Sequence, residues 1–254
     1  MIRFLLTLVA ALLSFIMYGQ GKQMVTIAGG VQSIEVSSIV IVNVDATRDS
    51  NTVEIVTDME SPEELVQIRQ VGTKLSIESK SPNRRYKSIG KITVNVSQKS
   101  VLTYYASAMA RIVVSGRVSG DSAKISVDGA GSIGYVNANF SVNTISINVD
   151  SASKYVGNVT AKTMKANVDS AGRVEVTGDV ESLVVNVDSA ATFAGKGLKA
   201  KTVKAEVDSM GKAEVYPTES LNAYADSMGK VVYYNTPKEL KKYTDSMGSV
   251  KAGN

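Results

Sequence analysis

Residues 207–212 read VDSMGK, residues 225–230 ADSMGK and residues 244–249 TDSMGS. The same element stands earlier as VDGAG (127–131), VDSAS (149–153), VDSAG (168–172) and VDSAA (187–191). Its aspartates, Asp128, Asp150, Asp169, Asp188, Asp208, Asp226 and Asp245, are spaced 22, 19, 19, 20, 18 and 19 residues apart. A weaker copy, YASAMARIVV, sets Ala106 in the aspartate's place, 22 residues before Asp128. Self-similarity at a fixed period of this size is the signature of a stacked repeat architecture.

Each copy closes a run that alternates in polarity: Ile145-Ile147-Val149, Met164-Ala166-Val168, Leu183-Val185-Val187 and Val203-Ala205-Val207. Alternation over five residues describes a strand with one buried face. Asn148, Asn167, Asn186, Glu206, Tyr224 and Tyr243 then form one outward column. A second short strand follows each corner, as in GRVEV (172–176) and GKAEV (211–215), and a turn rich in Gly, Asn, Asp or Pro restarts the cycle. A unit of about 19 residues without a helix cannot close a core alone and must stack on its neighbours. The expected fold is all-β: a right-handed parallel β-helix, or β-solenoid, with coils of about 19 residues. An antiparallel sandwich accounts for the alternation but not for the constant period.

In a solenoid the repeated Asp-Ser-Ala/Met-Gly becomes a structural corner, stacked coil on coil. Gly is expected to supply the unusual backbone angles, and Ser to hydrogen-bond along the stack. The change from Ala130, Ala152, Ala171 and Ala190 to Met210, Met228 and Met247 reads as an interior column widening toward the C-terminus. Carboxylates stacked about 4.8 Å apart repel by about 0.9 kcal/mol in water. Either each Asp accepts the N–H two residues on, or a divalent cation such as calcium sits along Asp150, Asp169, Asp188, Asp208 and Asp226. The calcium-binding nonapeptide pattern is absent, so no metal is assigned.

The chain opens MIRFLLTLVAALLSFIMYGQ, with one basic residue, Arg3, before an apolar run. The run is shorter than the roughly 20 residues that span a bilayer. It reads as a signal peptide over 1–19, leaving one domain over 20–254, irregular to residue 100 and regular over 101–254. The mature chain is then exported, without a stable membrane span, to the periplasm or the outer-membrane or cell surface. Ser61-Pro62-Glu63-Glu64, with Leu65 and Ile68, predicts a short capped helix over 61–70. SPNRRYKSIGK (81–91) reads as a basic, solvated loop.

The chain has no Cys and no His. This excludes disulfides, thiol nucleophiles, Cys/His zinc sites and Ser-His-Asp triads, and no cofactor is implied. A net charge of +4 without a long basic run does not imply nucleic acid. Tyr224, Tyr234 and Tyr243 are the candidate binding surface, as aromatic faces that stack on sugars or anchor a protein. They serve equally as outward ladder positions protecting the rod's end. Lys238, Lys241 and Lys242 fit that protective role. An enzyme would draw on the Asp ladder with Arg173, Lys212 and Lys230. A catalytic site, however, needs few groups at unequal distances and split pKa values, whereas a ladder repeats one group, so no catalytic residue is assigned.

VDGAGSI (127–133), VDSAGRV (168–174) and TDSMGSV (244–250), with VEIVTD and VGTKLSIES before them, resemble the head GIN domain family, DUF2807, common in Bacteroidetes and called auto-transporter adhesins on structural likeness alone. The resemblance covers about residues 25–251. It departs from the family where Ser-Gly becomes Asp-Ser, which adds the acidic ladder. It implies a parallel β-helix with an envelope or surface location and delivers no established activity. The expected role is non-catalytic binding, with a glycan or an envelope protein as partner; a polysaccharide-active enzyme is a lesser alternative. A periplasmic scaffold that self-associates as a homo-oligomer is the alternative.

Overall fold

The structure, a computed structural model, describes residues 15–17, 21–59, 61–80 and 91–254. The expected leader over 1–19 falls outside these residues apart from Phe15–Met17, and so does the basic loop apart from Lys91. The fold is all-β, a solenoid of about eight turns.

The regular coils are β10 (Arg111–Val127), β11 (Ser132–Val149), β12 (Lys154–Val168), β13 (Arg173–Val187), β14 (Thr192–Val207) and β15 (Lys212–Ala225). Each pairs in parallel with the next, so that Ile147, Ala166, Val185, Ala205 and Ala223 stack in one column. All the inward residues of the four alternating runs are buried. A second interior column runs Tyr155, Val174, Phe193, Ala213 and Val231, alternating bulky and small side chains so that successive layers interdigitate.

Each coil is one long bent strand rather than two strands and a turn. The segment expected as a Gly/Asn turn keeps its parallel ladder: Gly157, Asn158 and Val159 lie beside Val176, Thr177 and Gly178. In β13 the in-out alternation slips at 177–179 and again at Glu181-Ser182. These two bends and the Asp corner give the coil three sides.

The start of the chain forms an end piece by a different route. β3 (Ser33–Ser37) and β4 (Ile41–Asp45) make one coil. On one side they pair in parallel with β7 (Lys74–Ser79) and β8 (Ile92–Ser97). On the other they pair with β9 (Thr103–Ala106) and β10. Beyond β7 and β8 the pairing turns antiparallel. β6 (Val66–Val71) lies on β7 and β5 (Thr52–Thr57) on β8, then β2 (Lys22–Thr26) on β5 and β1 (Phe15–Met17) on β2.

The helix α1 is only Pro62–Leu65, with Pro62 and Leu65 buried. The expected helix to residue 70 is wrong because Val66, Ile68 and Gln70 are buried at period two, as strand β6. Ser61 takes a left-handed φ and makes no side-chain cap.

At the other end β16 (Lys230–Tyr233) is followed by β17 (Glu239–Thr244), which among the described residues pairs only with β15, and β18 (Ser249–Ala252), which among them pairs only with β16. Leu240 and Val250 there are only partly buried. Among the described residues no helix is long and apolar enough to cross a membrane.

Candidate functional site

The corner is a tight turn of unusual composition. In Asp169-Ser170-Ala171-Gly172 the Gly172 N–H donates to the Asp169 carbonyl at 2.8 Å, and Ser170 and Ala171 both have positive φ, 50° and 68°. Two left-handed central residues define the primed hairpin-type turn, usually given to Asn and Gly. The same pair recurs at Ser189/Ala190, Ser209/Met210, Ser227/Met228 and Ser246/Met247.

The expected division of labour is therefore reversed. The left-handed angles fall on Ser and on Ala or Met, save in the Asp128 corner, where Gly129 takes the first of them. At Gly172, Gly211, Gly229 and Gly248 the backbone sits so close that a side chain would strike carbonyl oxygens of its own turn or of the previous coil. Positive φ also marks Ala108 and Met109, and the Ala110 N–H closes that turn on the Ser107 carbonyl. Ser107, not Ala106, therefore stands in the aspartate's place of the first coil.

The turns are bolted to one another. Backbone N–H groups of Asp169, Asp188, Asp208 and Asp226 donate to the coil before, at 2.9–3.0 Å. Those of Ala171, Ala190, Met210 and Met228 donate to a Ser carbonyl in the coil after, each at 3.1 Å. The Met column is not interior: Met210, Met228 and Met247 are 61%, 51% and 80% exposed. A residue at the tip of a left-handed turn points away from the coil, which also lets Ala and Met interchange there.

Asp150, Asp169, Asp188, Asp208, Asp226 and Asp245 each accept the N–H of the next residue through Oδ1, as Asp128 does from Gly129. The partner is one residue on, not two. Ser hydroxyls bond Asp rather than one another: Ser151 Oγ donates to Asp128 Oδ1 at 2.9 Å across coils. Among the described residues no three acidic groups converge to hold a metal ion, and no salt bridge reaches any of these seven aspartates. Arg173 and Lys212, considered above as catalytic cations, pair instead with Glu175 and Glu214 on the next side of the coil.

Two residues before each Asp runs the outward column Ser126, Asn148, Asn167, Asn186, Glu206, Tyr224 and Tyr243. The amides form a ladder: Asn186 Nδ2 donates to Asn167 Oδ1 at 2.8 Å, and Asn167 Nδ2 to Asn148 Oδ1 at 2.7 Å. Between this column and the Asp column lies an open groove of about 570 Å³. Asn167, Asn186, Glu206 and Tyr224 form one wall, Asp169, Asp188 and Asp208 the other, and the backbone of Val168, Val187 and Val207, whose side chains turn inward, the floor.

Tyr224 and Tyr243 are register partners, 42% and 53% exposed, at the C-terminal end of this wall. The Tyr224 hydroxyl donates to Asp226 Oδ2 at 3.3 Å. The negative charge of Asp226, with lesser effects of burial and of Asp245 and Asp208, holds its phenol above the usual value of 10.0. Tyr234 lies elsewhere: its hydroxyl donates to Glu214 and its ring carries the Lys196 ammonium at 4.2 Å. The structure thus brings two of the three predicted tyrosines together. The signal that separates them is position, since Tyr224 and Tyr243 both precede an Asp by two residues and Tyr234 does not.

The family described as "Putative auto-transporter adhesin, head GIN domain" matches residues 31–237. Several solved structures share the fold. A putative adhesin from Parabacteroides distasonis ATCC 8503 superposes with a TM-score of 0.84 at 20% identity, covering 92% of this chain and 97% of that one. A putative adhesin from Parabacteroides merdae ATCC 43184 gives 0.81 at 18%, covering 92% and 95%. A putative lipid binding protein from Parabacteroides distasonis ATCC 8503 gives 0.79 at 16%, covering 92% and 96%. No curated protein sequence matches the chain.

Proposed function

The chain belongs to the head GIN domain family of putative auto-transporter adhesins, and from that premise we propose that it is an exported, non-catalytic binding protein of the cell envelope. The partner docks on the groove between the Asn/Glu/Tyr column and the Asp column. The observation that carries this is the placement of exposed large apolar side chains. Tyr224, Tyr243, Met210, Met228 and Met247 all gather along this one corner in the last three coils, where an outward patch rimmed by carboxylates marks an interaction surface. Repetition of one group per coil supports binding over catalysis. The apolar run beginning at Phe4 supports export.

Two measurements test the reading. Protease shaving of intact cells, followed by immunoblotting against a periplasmic control, should cleave the chain while the control survives. Cell adhesion by the purified chain should fall when Tyr224 and Tyr243 are both changed to Ala. Cleavage only after the outer membrane is broken would remove the surface location. A specific observation favours a second reading, self-association. Among the described residues the last coil leaves β17 and β18 with one unpaired edge each, a template for another strand. Size in solution that rises with concentration would support it.

A further inference from the structure

Resting on the reading that the groove is the docking surface, we propose that its occupant is a cationic, amine-bearing glycan, a deacetylated polymer of β-linked hexosamines laid along the solenoid axis. Three features of the groove select that chemistry.

The first is its period. Coils β12, β13 and β14 present the same three elements in the same order: a planar amide or acid, the backbone of a Val and a carboxylate. They recur at the inter-coil interval of about 4.8 Å. In an extended β-(1→4)-linked glycan successive rings flip over, so alternate rings present the same edge, and that two-ring interval is close to the spacing of two coils. A peptide at about 3.3 Å per residue sets same-side side chains about 6.6 Å apart and matches neither one coil nor two.

The second is its charge. Asp169, Asp188 and Asp208 line one wall, and each spends Oδ1 on its own turn. No cation within salt-bridge distance neutralises them among the described residues. The nearby cations are taken elsewhere: Lys154 and Arg173 by Glu175, Lys212 by Glu214, Lys204 by Glu206. The wall complements the ammonium groups of alternate rings, which face it once per two coils. The third is the aromatic end. Tyr224 and Tyr243, stacked in register and exposed, offer the faces on which pyranose rings pack.

The test uses the purified chain and three probes in calorimetry or biolayer interferometry: a chitosan hexamer, the fully N-acetylated chitin hexamer, and oligolysine of equal charge. The proposal expects the chitosan hexamer to bind at least about tenfold more tightly than either other probe. That affinity should fall as salt rises through physiological strength, since exposed charges are screened there. Asp188→Asn and Tyr224→Ala, each checked for an unchanged circular dichroism spectrum, should each weaken it by about tenfold.

Equal binding of the chitin and chitosan hexamers overturns the proposal but leaves the groove as a glycan site. Oligolysine binding as tightly, unaffected by Tyr224→Ala, overturns it in favour of a basic peptide. No binding of any probe overturns it outright, while the shaving and adhesion measurements decide the docking reading separately.

Discussion

Gly172 lies against Val149, one coil back, so closely that a Cβ on Gly172 would stand 2.8 Å from the Val149 carbonyl oxygen. The same Cβ would stand 2.8 Å from the Asp169 oxygen of its own turn. Gly172→Ala should therefore destabilise the fold by about 1–3 kcal/mol, the usual cost of overpacking a filled site. Equilibrium denaturation measures it, and an unchanged midpoint would show that the corner can open.

Ser153 occupies the equivalent position of the preceding corner, where other coils place Gly or, at Ala110 and Ala191, Ala. It is 2% exposed and its Oγ has no hydrogen-bond partner among the described residues. Ser153→Ala keeps the backbone and removes the orphan hydroxyl, so it should stabilise by about 1 kcal/mol, raising the melting temperature by about 2–4 °C. A fall in melting temperature would mean that the hydroxyl is bonded in solution.

The Tyr224 phenol is held up chiefly by the charge of Asp226. Asp226→Asn should bring its titration back toward the usual value of 10.0. Following the Tyr224 ring carbon by NMR from neutral to alkaline pH reads this directly. A titration unmoved by the substitution would place the phenol away from the carboxylate.

Acid should weaken the fold through Glu175 and Glu214. The Arg173 hydrogen bond, then that of Lys154, lowers the Glu175 pKa. Burial works against ionisation of Glu214, but Lys212, Tyr234 and Lys196 together outweigh it and leave its pKa lowered. A carboxyl whose folded pKa is depressed contributes stability above its unfolded value, about 4.3 for Glu. That contribution is lost as pH falls through the folded pKa. Melting temperature should be flat above about pH 5 and decline below about pH 4, less steeply in the Glu175→Gln/Glu214→Gln double variant. Equal slopes would assign the acid limb to other groups.

With Oδ1 of every corner Asp turned into its own turn, the stack should not depend on divalent cations. Melting curves with and without a chelator should superimpose. A shift of several degrees would establish a cation between Asp169 and its neighbours.

The solenoid was legible because its period is written in the chain: the runs through Val168, Val187 and Val207 fix which residues face inward. The inside of the turn was not. Glycine beside a corner invites the assumption that glycine takes the left-handed angle, yet Ser170 and Ala171 take it and Gly172 makes room for Val149. From that error followed the misplacement of Met210, Met228 and Met247 inside. The helix over 61–70 failed for a related reason. Leu65 and Ile68 suit helical spacing, but pairing of β6 with β7 outweighs four residues' worth of local preference. The antiparallel end piece left no periodic trace, because each of its strands occurs once.

The two ends of the rod differ: the short helix with buried Pro62 and Leu65 packs on antiparallel strands and closes one, while the other, among the described residues, finishes on β17 and β18 with Leu240 and Val250 only partly buried. Under tension applied at the last strand, failure begins at that end and proceeds one coil at a time. Each coil of about 19 residues pays out roughly 60 Å of extended chain. The rod is thus built to yield in equal steps, a sawtooth of near-constant spacing in single-molecule extension, with the closed end the last to give way.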